Sequence, residues 1–503
     1  MQKPGKMYRQ EKQASTSLES FKLPSEGKLA EDNRWVIMAQ WIPWTEFETE
    51  YAELFSSDMG APAQTFRMAL GALIIKEKLG ISERETVEQS QENPYLQYFI
   101  GQREYSNSAP FDASRLVQFR TRISAKLVKK VNQAMVKRMR EATTEPSAEK
   151  QPESEEVSER KNLGKLIADA TCAPADLTYP TDLKILNQAR EQTEKILEIL
   201  HKSGQDKSKK KPRTYRKKAR KDYLEVAKQR RPSRKARRKG LKKQRQYIKR
   251  NLGHIDQLIA DGAVLDCLNS KQYKSLLVVA EIYRQQQWMF DNNKQSISDR
   301  IVSLSQPHIR PIVRGQAGTP VEFGAKLSAS CVDKYVFLDR ISWDNFNESA
   351  DLIAQIEAFK EYTGYYPKSV HVDKIYRTRE NRAWCKERGI RISGPPLGRP
   401  PVNVSKETKK QALDDEKIRN SIEGKFGQGK RVFSLNRIMT KLAHTSETAI
   451  AITFLVMNLS VILREIFWSI FLFNYFFWVS DYRNLSINSL TRKKLIYHSY
   501  LIS

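Results

Sequence analysis

The chain has 503 residues, of which 40% are hydrophobic and 29% charged, so it can bury one or two ordinary cores. This composition excludes a disulfide-stapled mini-protein, a collagen-like repeat and a chain that is disordered throughout. The formal net charge of +29 favours a polyanionic partner. Residues 207–250 alone contribute +21, because they hold 23 Lys and Arg residues and only two acidic ones.

The N-terminal segment and the cysteines indicate the compartment. Residues 1–34 are predicted to be a flexible N-terminus, and they contain no apolar stretch that could serve as a secretory signal. The four cysteines have neither the spacing of a zinc site nor that of a disulfide framework. They are Cys172, Cys267, Cys331 and Cys385. A reducing cytoplasm therefore fits the sequence best.

Residues 35–140 are predicted to form an all-helical N-terminal domain. Apolar spacing over residues 68–75 predicts a helix, and Gly80 suits a left-handed helix end. Ser82, with Glu85 three residues later, has the pattern of a capping box that starts the next helix. The pair is either a helix-turn-helix that reads DNA or an ordinary helical hairpin, and the pattern favours the two equally.

Residues 141–160 are rich in Ser, Glu and Pro and are predicted to be a linker. Beyond them, residues 161–465 alternate between strand and helix patterns. The predicted elements are a strand at 163–171, a helical insertion at about 183–290, a β-hairpin at 321–338, a helix at 349–362 and a strand at 369–373. This order predicts an α/β fold in which helices flank a mixed sheet.

The basic segment lies inside the helical insertion, and its composition suits contact with a nucleic-acid backbone. Tyr215, Tyr223 and Tyr247 are interleaved with the cationic clusters, which favours occasional stacking on bases. The cationic residues predicted to contact DNA are Lys209, Lys210, Lys211, Arg213, Arg216, Lys217, Lys218, Arg237 and Arg238.

Residues 466–503 form an apolar C-terminal tail to which the sequence assigns no role. Its aromatic run, Ile466 to Ser480, spans 15 residues, contains Asn474 and directly follows Glu465. It is therefore too short and too interrupted for a membrane-spanning helix. A buried or partner-facing helix is the favoured interpretation, and membrane contact is the less favoured one.

Two predicted strands each deliver an aspartate, Asp169 and Asp373. Carboxylates on neighbouring strands can share divalent ions, which assist phosphoryl transfer by activating the nucleophile and stabilising the leaving oxygen. Farther along, Arg419, Glu423 and Lys430 fall on one face of a predicted helix. Glu423 can complete a metal site while the two cations hold DNA phosphates. Ordinary surface ion pairs have the same spacing, so the pattern alone leaves both interpretations open.

Longer strings identify a family. The segments at residues 66–75, 92–99 and 111–120, the string Asp373-Lys-Ile-Tyr, and the spacing from Arg419 through Glu423 to Lys430 resemble the DDE transposases of bacterial insertion sequences. The resemblance is to the group typified by insertion sequence five and covers roughly residues 35–465. In related enzymes a Tyr often stands three residues before the Arg, whereas this chain has Glu416 there.

The resemblance implies a ribonuclease-H-like catalytic core with a mixed five-stranded sheet, preceded by the helical domain. It implies that Asp169, Asp373 and Glu423 are catalytic and hold two Mg²⁺ ions, which Mn²⁺ can replace. A metal-bound water then cuts at the transposon ends, and the freed 3′-hydroxyl attacks target DNA. Tyr376 and Arg377, which flank this site, are expected to contact DNA together with the two helix cations.

The implied partner is double-stranded DNA, at both the transposon ends and the target, and the chain is expected to form a homo-oligomer on it. The implied location is the bacterial cytoplasm, in association with the nucleoid. The alternative is a non-catalytic DNA-binding remnant of a decayed element, acting as a repressor or decoy.

Overall fold

The computed structural model describes residues 17–24, 27–55, 63–143, 162–203, 210–313, 321–394 and 405–468. Helices dominate the part before the sheet, as the sequence predicts. They are α1 (Arg34–Trp41), α2 (Glu48–Ala52), α3 (Phe66–Leu79), α4 (Glu83–Glu92), α5 (Pro94–Phe99), α6 (Arg115–Arg122) and α7 (Ala125–Thr143).

The predicted helix boundary between α3 and α4 is confirmed. Gly80 has a φ of +68° and ends α3, and the Ser82 hydroxyl accepts the Glu85 N–H at 3.1 Å. α3 is buried over most of its length, and α4 carries four Glu residues and a single Arg. Because an acidic helix is repelled by phosphates, this pair fits a structural helical hairpin better than a DNA-reading motif.

The sequence prediction at both ends of the helical region needs correction. Residues 1–34 were expected to be flexible, but Phe21 and Leu29 are buried in the core, where the Phe21 ring packs edge-on against Tyr98 of α5 at 5.8 Å between centroids. At the other end α7 continues to Thr143, three residues into the predicted linker. The rest of that linker lies outside the described residues.

A single mixed sheet follows. Its strands are β1 (Lys165–Pro174), β2 (Arg310–Val313), β3 (Val321–Val332), β4 (Tyr335–Ser342), β5 (Ser369–His371) and β6 (Arg391–Ile392). The order is β2-β3-β1-β5-β6, and β4 also pairs with β3. β1 is antiparallel to β3 and parallel to β5, so the predicted mixed α/β sheet is confirmed. The described sheet has one strand more than the resemblance implies.

Two of the strand predictions differ in outcome. The predicted hairpin is present as β3 and β4, and Asp333 adopts a positive φ in its turn. The strand at 163–171 was expected to end beside Asp169, but β1 continues to Pro174 because β3 pairs with it along almost its full length. Asp169 therefore lies inside a strand, whereas β5 stops two residues before Asp373.

The predicted helical insertion lies between β1 and β2. It consists of α8 (Asp182–Ser203), α9 (Arg216–Ala227), α10 (Arg234–Ala260) and α11 (Ser270–Asp291). A small core of its own, which includes Leu186, Ile248 and Ile282, holds α8, α10 and α11 together. Asn251 on α10 also donates to the Thr193 hydroxyl on α8 at 2.9 Å. The insertion is thus an ordered helical layer rather than a charged loop.

The remaining helices are α12 (Leu352–Thr363), α13 (Arg379–Glu387), α14 (Lys406–Arg431) and α15 (Ala443–Trp468). By length and composition α15 could cross a membrane, but 72% of its most apolar stretch is buried inside the protein. That burial is typical of a core helix. α15 also runs through the boundary predicted at residue 466, and residues 469–503 of the predicted tail lie outside the described residues.

The helical region and the sheet share one core. Asn458 of α15 donates to Asn132 of α7 at 3.0 Å and to the Val336 carbonyl of β4 at 2.8 Å. Glu77 of α3 accepts a hydrogen bond from the Thr453 hydroxyl of α15 at 2.7 Å. One continuous apolar cluster therefore joins residues from α1 to α15.

Candidate active site and nucleic-acid interface

Two aspartates lie side by side where β1 and β5 cease to pair. The parallel pairing ends with Ile167 opposite His371, and Asp169 and Asp373 each follow two residues farther along their chains, close enough for the charge of Asp373 to act on Asp169. Because alternate residues of a strand share a face, Asp169 lies on the same face of the sheet as Ile167 and its partner His371. Asp373 is exposed and accepts the Lys374 N–H at 2.6 Å. The structure thus brings together the two aspartates that the sequence predicts.

The Asp169 carboxylate is the more buried of the two. Its Oδ1 accepts the Ala170 N–H at 2.8 Å. Burial raises the pKa of Asp169 to about 6, with the charges of Glu348 and Asp373 acting in the same direction and that of Arg419 opposing them. A cation beside Asp169 would therefore relieve both a desolvated charge and a like-charge contact.

Glu348 is an acidic neighbour of Asp169 that sequence reasoning missed. It begins a 3₁₀ turn, Glu348–Asp351, and its carboxylate forms an ion pair with Lys326 Nζ at 3.0 Å. No local pattern marks it, because it lies in the connection after β4 and reaches the site only through tertiary packing. Its position in the connection between a predicted strand and a predicted helix was the one sequence signal that pointed to it.

Tyr376 is not positioned as a DNA contact, so that prediction is wrong for its side chain. The residue is fully buried, and its hydroxyl has no hydrogen-bond partner among the described residues. Burial raises its pKa, and the charges of Glu348 and Asp169 add to this. Asn381 fixes this turn by donating to the carbonyls of Tyr376 and Ser349, each at 2.8 Å. Tyr376 therefore has a structural role, packing inside the protein next to the site.

Arg377 is likewise committed within the protein. Its Nη1 donates to the carbonyls of Ile392, Ser393 and Gly394 at 3.2, 2.9 and 2.7 Å. This guanidinium holds the chain after β6 through Nη1, and a DNA contact by its other donors stays a prediction. Lys430 lies half-buried on α14, and its contact with DNA stays a prediction.

α14 crosses the face that carries the two aspartates. Asp415 anchors it by accepting two hydrogen bonds from Arg391 of β6 at 2.7 and 2.8 Å, and it lies 3.5 Å from Nδ1 of His371. Ile422 and Phe426 are buried beneath the helix. These contacts fix the part of α14 that carries Glu423 over the end of the sheet.

Glu423 is held by an arginine rather than by the aspartates. Arg419 Nη1 donates to Glu423 Oε1 at 2.9 Å, while its Nη2 and Nε donate to the Glu416 carboxylate at 2.7 and 3.3 Å. The hydrogen bonds to Glu416 raise the pKa of Arg419 further above its usual range. The guanidinium is therefore enclosed between two carboxylates of its own helix.

The donor set fits a metal ion in part. Asp169 and Asp373 supply the hard oxygen atoms that Mg²⁺ prefers, and one of them is desolvated. In the described residues, however, no group of three or more His, Cys, Asp and Glu side chains is arranged to hold a metal ion. Glu423 is not grouped with the two aspartates, and its Oε1 accepts a hydrogen bond from Arg419. Two carboxylates of the expected three-carboxylate site, those of Asp169 and Asp373, thus lie together, and that of Glu423 does not join them.

The cationic residues of the insertion divide into two sets. Three of the predicted DNA contacts are used within the insertion: Lys211 pairs with Glu198, Arg216 with Glu194, and Arg238 stacks over the Phe290 ring. Lys209 lies outside the described residues. The three residues used within the insertion are exposed, as are the other described predicted contacts, Lys210, Arg213, Lys217, Lys218 and Arg237.

The three tyrosines of the insertion differ in exposure: Tyr247 has a structural role, whereas Tyr215 is exposed, and its stacking on bases stays a prediction. Tyr247 is buried, and its hydroxyl donates to Asp222 at 2.7 Å. Arg250 lies over the ring of Tyr215, with 4.7 Å between guanidinium carbon and ring centroid. Tyr223 is half-buried. The predicted contact with a nucleic acid therefore rests on charge more than on stacking.

Comparison with known proteins adds independent findings. The family described as "Transposase DDE domain" matches residues 370–460, which include Asp373 and α14. The family described as "Transposase domain (DUF772)" matches residues 24–122, within the helical region. The chain is similar to "Uncharacterized protein ORF8 in nfe locus" from Rhizobium meliloti, with 31% identity over 154 residues. That match covers 31% of this chain and 68% of the relative. No solved structure matches the chain.

A helical region of one transposase family and a sheet-and-helix region of another therefore occur in one chain, in the expected order. The chain belongs to the DDE transposases of bacterial insertion sequences.

Proposed function

We propose that this chain is the working transposase of an element in the group typified by insertion sequence five. It binds the terminal inverted repeats as a homo-oligomer, cleaves the DNA there and joins the freed ends to a target duplex. The observation that carries this proposal is the proximity of Asp169 and Asp373, each of which lies two residues beyond the last pair of the parallel β1–β5 pairing. Such a pair of carboxylates serves metal-dependent phosphoryl transfer.

The architecture supports a ribonuclease-H-like catalytic core over residues 161–465. The strands β4-β3-β1-β5-β6 form a five-stranded mixed set, to which β2 is an addition at the edge. Residues 35–140 then form the helical transposase domain in front of it. The apolar cluster shared by α3, α7 and α15 keeps the two regions together during the reaction.

The metal-dependent chemistry is assigned to three carboxylates. Asp169 and Asp373, joined by Glu423, would hold two Mg²⁺ ions, which Mn²⁺ can replace. A bound divalent ion there activates the nucleophile and stabilises the leaving oxygen of the phosphodiester. The strands fix the two aspartates, and Arg419 and Lys430 hold the phosphates next to the scissile bond.

The insertion is proposed to bind the duplex backbone. Its exposed cations neutralise phosphates without reading bases, so they add affinity rather than sequence preference. With such a partner the protein acts in the bacterial cytoplasm, on the nucleoid. This assignment is independent of the chemistry at the sheet.

A non-catalytic remnant that still binds DNA is the second candidate. One observation favours it: Glu423 is bonded to Arg419 instead of joining the aspartates. A repressor or decoy would retain the cationic insertion and the fold while failing to cut.

Cleavage of the element's own ends tests the proposal. The purified protein is incubated with a duplex that carries the ends flanking its own gene, with Mg²⁺ or with EDTA, and the products are separated on a sequencing gel. We expect discrete Mg²⁺-dependent nicks at the ends and joined strands when target DNA is added. Asp373→Asn should bind the ends like the parent and cut them about a thousandfold more slowly.

The matched control is Asp256→Asn, which removes an exposed carboxylate of the insertion and should cut at the parental rate. Specific binding by a folded parent without any nicks selects the remnant. Cleavage by Asp373→Asn at the parental rate shows that the site is wrongly assigned.

A further inference from the structure

Arg419 has an unusual set of partners for a residue predicted to bind DNA. Its side chain is only 18% exposed, and its donors are directed to two carboxylates of the same helix. Glu416 receives two of them and Glu423 receives one. A guanidinium in this state has little left to offer to a phosphate.

The bidentate contact with Glu416 sets the direction of the third hydrogen bond. Two parallel N–H···O bonds fix the plane of a guanidinium more firmly than one bond does. Glu416, Arg419 and Glu423 are spaced three and four residues apart, so all three lie on one helix face. With Nε and Nη2 held by Glu416, Nη1 is left to meet Glu423 one turn farther on.

The same guanidinium also serves the aspartate side of the site. Its charge acts on Asp169, which lies on the face that α14 crosses. Arg419 is thus a counter-cation for the acidic site in the DNA-free protein. While it is held there, the third carboxylate is kept from the pair.

We propose that Glu416 is a positioning residue that, through Arg419, holds Glu423 away from Asp169 and Asp373. This latch of Glu416, Arg419 and Glu423 opens when a DNA phosphate displaces Glu416 from Arg419. A DNA phosphate competes with Glu416 for the guanidinium, and by turning the guanidinium plane towards the DNA it also withdraws Nη1 from Glu423. Glu423 is then released towards the aspartates at the moment when DNA is present. The inference rests on the proposed function, because it assumes that these carboxylates form the metal site.

Plain electrostatics and the proposed latch predict opposite changes in cation affinity when the charge of Glu416 is removed. Removing the negative charge of Glu416 by a field effect alone weakens the binding of any cation nearby. Releasing Glu423 from Arg419 adds a carboxylate to the site and strengthens cation binding. A purely structural role on the helix surface, such as an ordinary ion pair, moves helix stability and leaves cation affinity unchanged.

The test uses the full chain without DNA and Mn²⁺ alone as the probe, with free Mn²⁺ measured by electron paramagnetic resonance. Glu416→Gln keeps the size of the side chain and should bind Mn²⁺ about threefold more tightly than the parent. Asp414→Asn is the matched control, since Asp414 is an exposed carboxylate of α14 that pairs with Lys417 rather than with Arg419. It should bind Mn²⁺ as the parent does or slightly more weakly.

Two further variants separate the inference from the function on which it rests. In a Glu423→Gln background the gain from Glu416→Gln should vanish, because there is no carboxylate left to release. If Glu416→Gln binds Mn²⁺ no more tightly than Asp414→Asn, the latch is wrong while the metal site stands. If Asp169→Asn binds Mn²⁺ as well as the parent does, the ion lies elsewhere, and both the latch and the proposed site are overturned.

Discussion

The end of the sheet and the helical insertion both carry dense charge, but they handle it in opposite ways. At the sheet, few carboxylates are placed by strand register, and one of them is desolvated enough for its pKa to reach about 6. On the insertion, many cations stand on helix surfaces, and several are neutralised by Glu194 and Glu198 of α8. The first arrangement depends on geometry, and the second depends on the sum of its charges.

This difference predicts how each region tolerates change. A carboxylate that must share an ion with its neighbour has no substitute, because the neighbouring strand positions are occupied by apolar residues such as Ala168 and Ala170. A cation that neutralises one phosphate among many can be replaced by the next one along the helix. The sheet should therefore be sensitive to single substitutions, and the insertion only to several at once.

The largest expected difference is in cleavage rate, between a single substitution at the sheet and a single substitution on the insertion. Asp169→Asn should lower the rate of end cleavage by about a thousandfold or more, since it removes a proposed metal ligand while keeping the shape of the side chain. Lys235→Gln, on an exposed position of α10, should change that rate by less than about twofold. Single-turnover cleavage at saturating protein measures both. A large loss with Lys235→Gln would contradict the additive picture of the insertion.

An intermediate effect should separate the two sets of cations within the insertion. Six exposed cations that form no ion pair with other described residues are changed to Gln: Lys217, Lys221, Arg230, Arg231, Lys235 and Lys239. We expect the slope of log K against log salt to fall by up to about 5, because each lost phosphate contact removes about 0.9. Binding to a duplex between 50 and 200 mM salt, as an order-of-magnitude range, measures the slope.

The matched set removes the same charge from cations that the insertion uses internally. These are Lys211, Arg216, Arg238, Lys243, Arg245 and Arg250. This variant should lose stability in thermal unfolding and keep most of the salt slope. Equal slopes for the two variants would mean that net charge alone, rather than the exposed face, binds DNA.

The smallest effect concerns pH and belongs to the sheet. Because the pKa of Asp169 is raised to about 6, the folded protein binds a proton more tightly than the unfolded chain between about pH 4 and 6. The metal-free protein should therefore lose up to about 2 kcal/mol of stability as pH rises through 6. Urea unfolding in EDTA at pH 5 and pH 7 measures this loss, relative to Asp169→Asn, in which it should be absent. A parallel pH dependence in both proteins would assign the titration to another group.

The sequence foresaw what local pattern can encode. Alternating apolar residues predicted the β3–β4 hairpin, and three-and-four spacing predicted the helices of the insertion. The two aspartates could be chosen because each follows a short apolar run. The length of β1 could not be foreseen, since it depends on pairing with β3, about 150 residues farther along the chain.

Side-chain roles were the part that the sequence concealed. Tyr376 and Arg377 are residue types that often contact DNA. Tertiary packing nevertheless buries Tyr376 and directs Arg377 to three backbone carbonyls. Glu348 reaches Asp169 from a connection with no recognisable pattern. The sequence showed Glu416 as a departure from related enzymes, but its hydrogen bonds with Arg419 depend on the side-chain conformations in the folded helix.

The contact between α3 and α15 has a consequence for how the protein is made. Lys78 donates to the Ser460 hydroxyl at 2.6 Å across 382 residues of sequence. At a synthesis rate of roughly 5–20 residues per second, the apolar face of α3 waits on the order of tens of seconds for its partner to leave the ribosome. The first helices thus remain incompletely buried until translation is nearly finished, and chaperone binding to the nascent chain has its longest opportunity there.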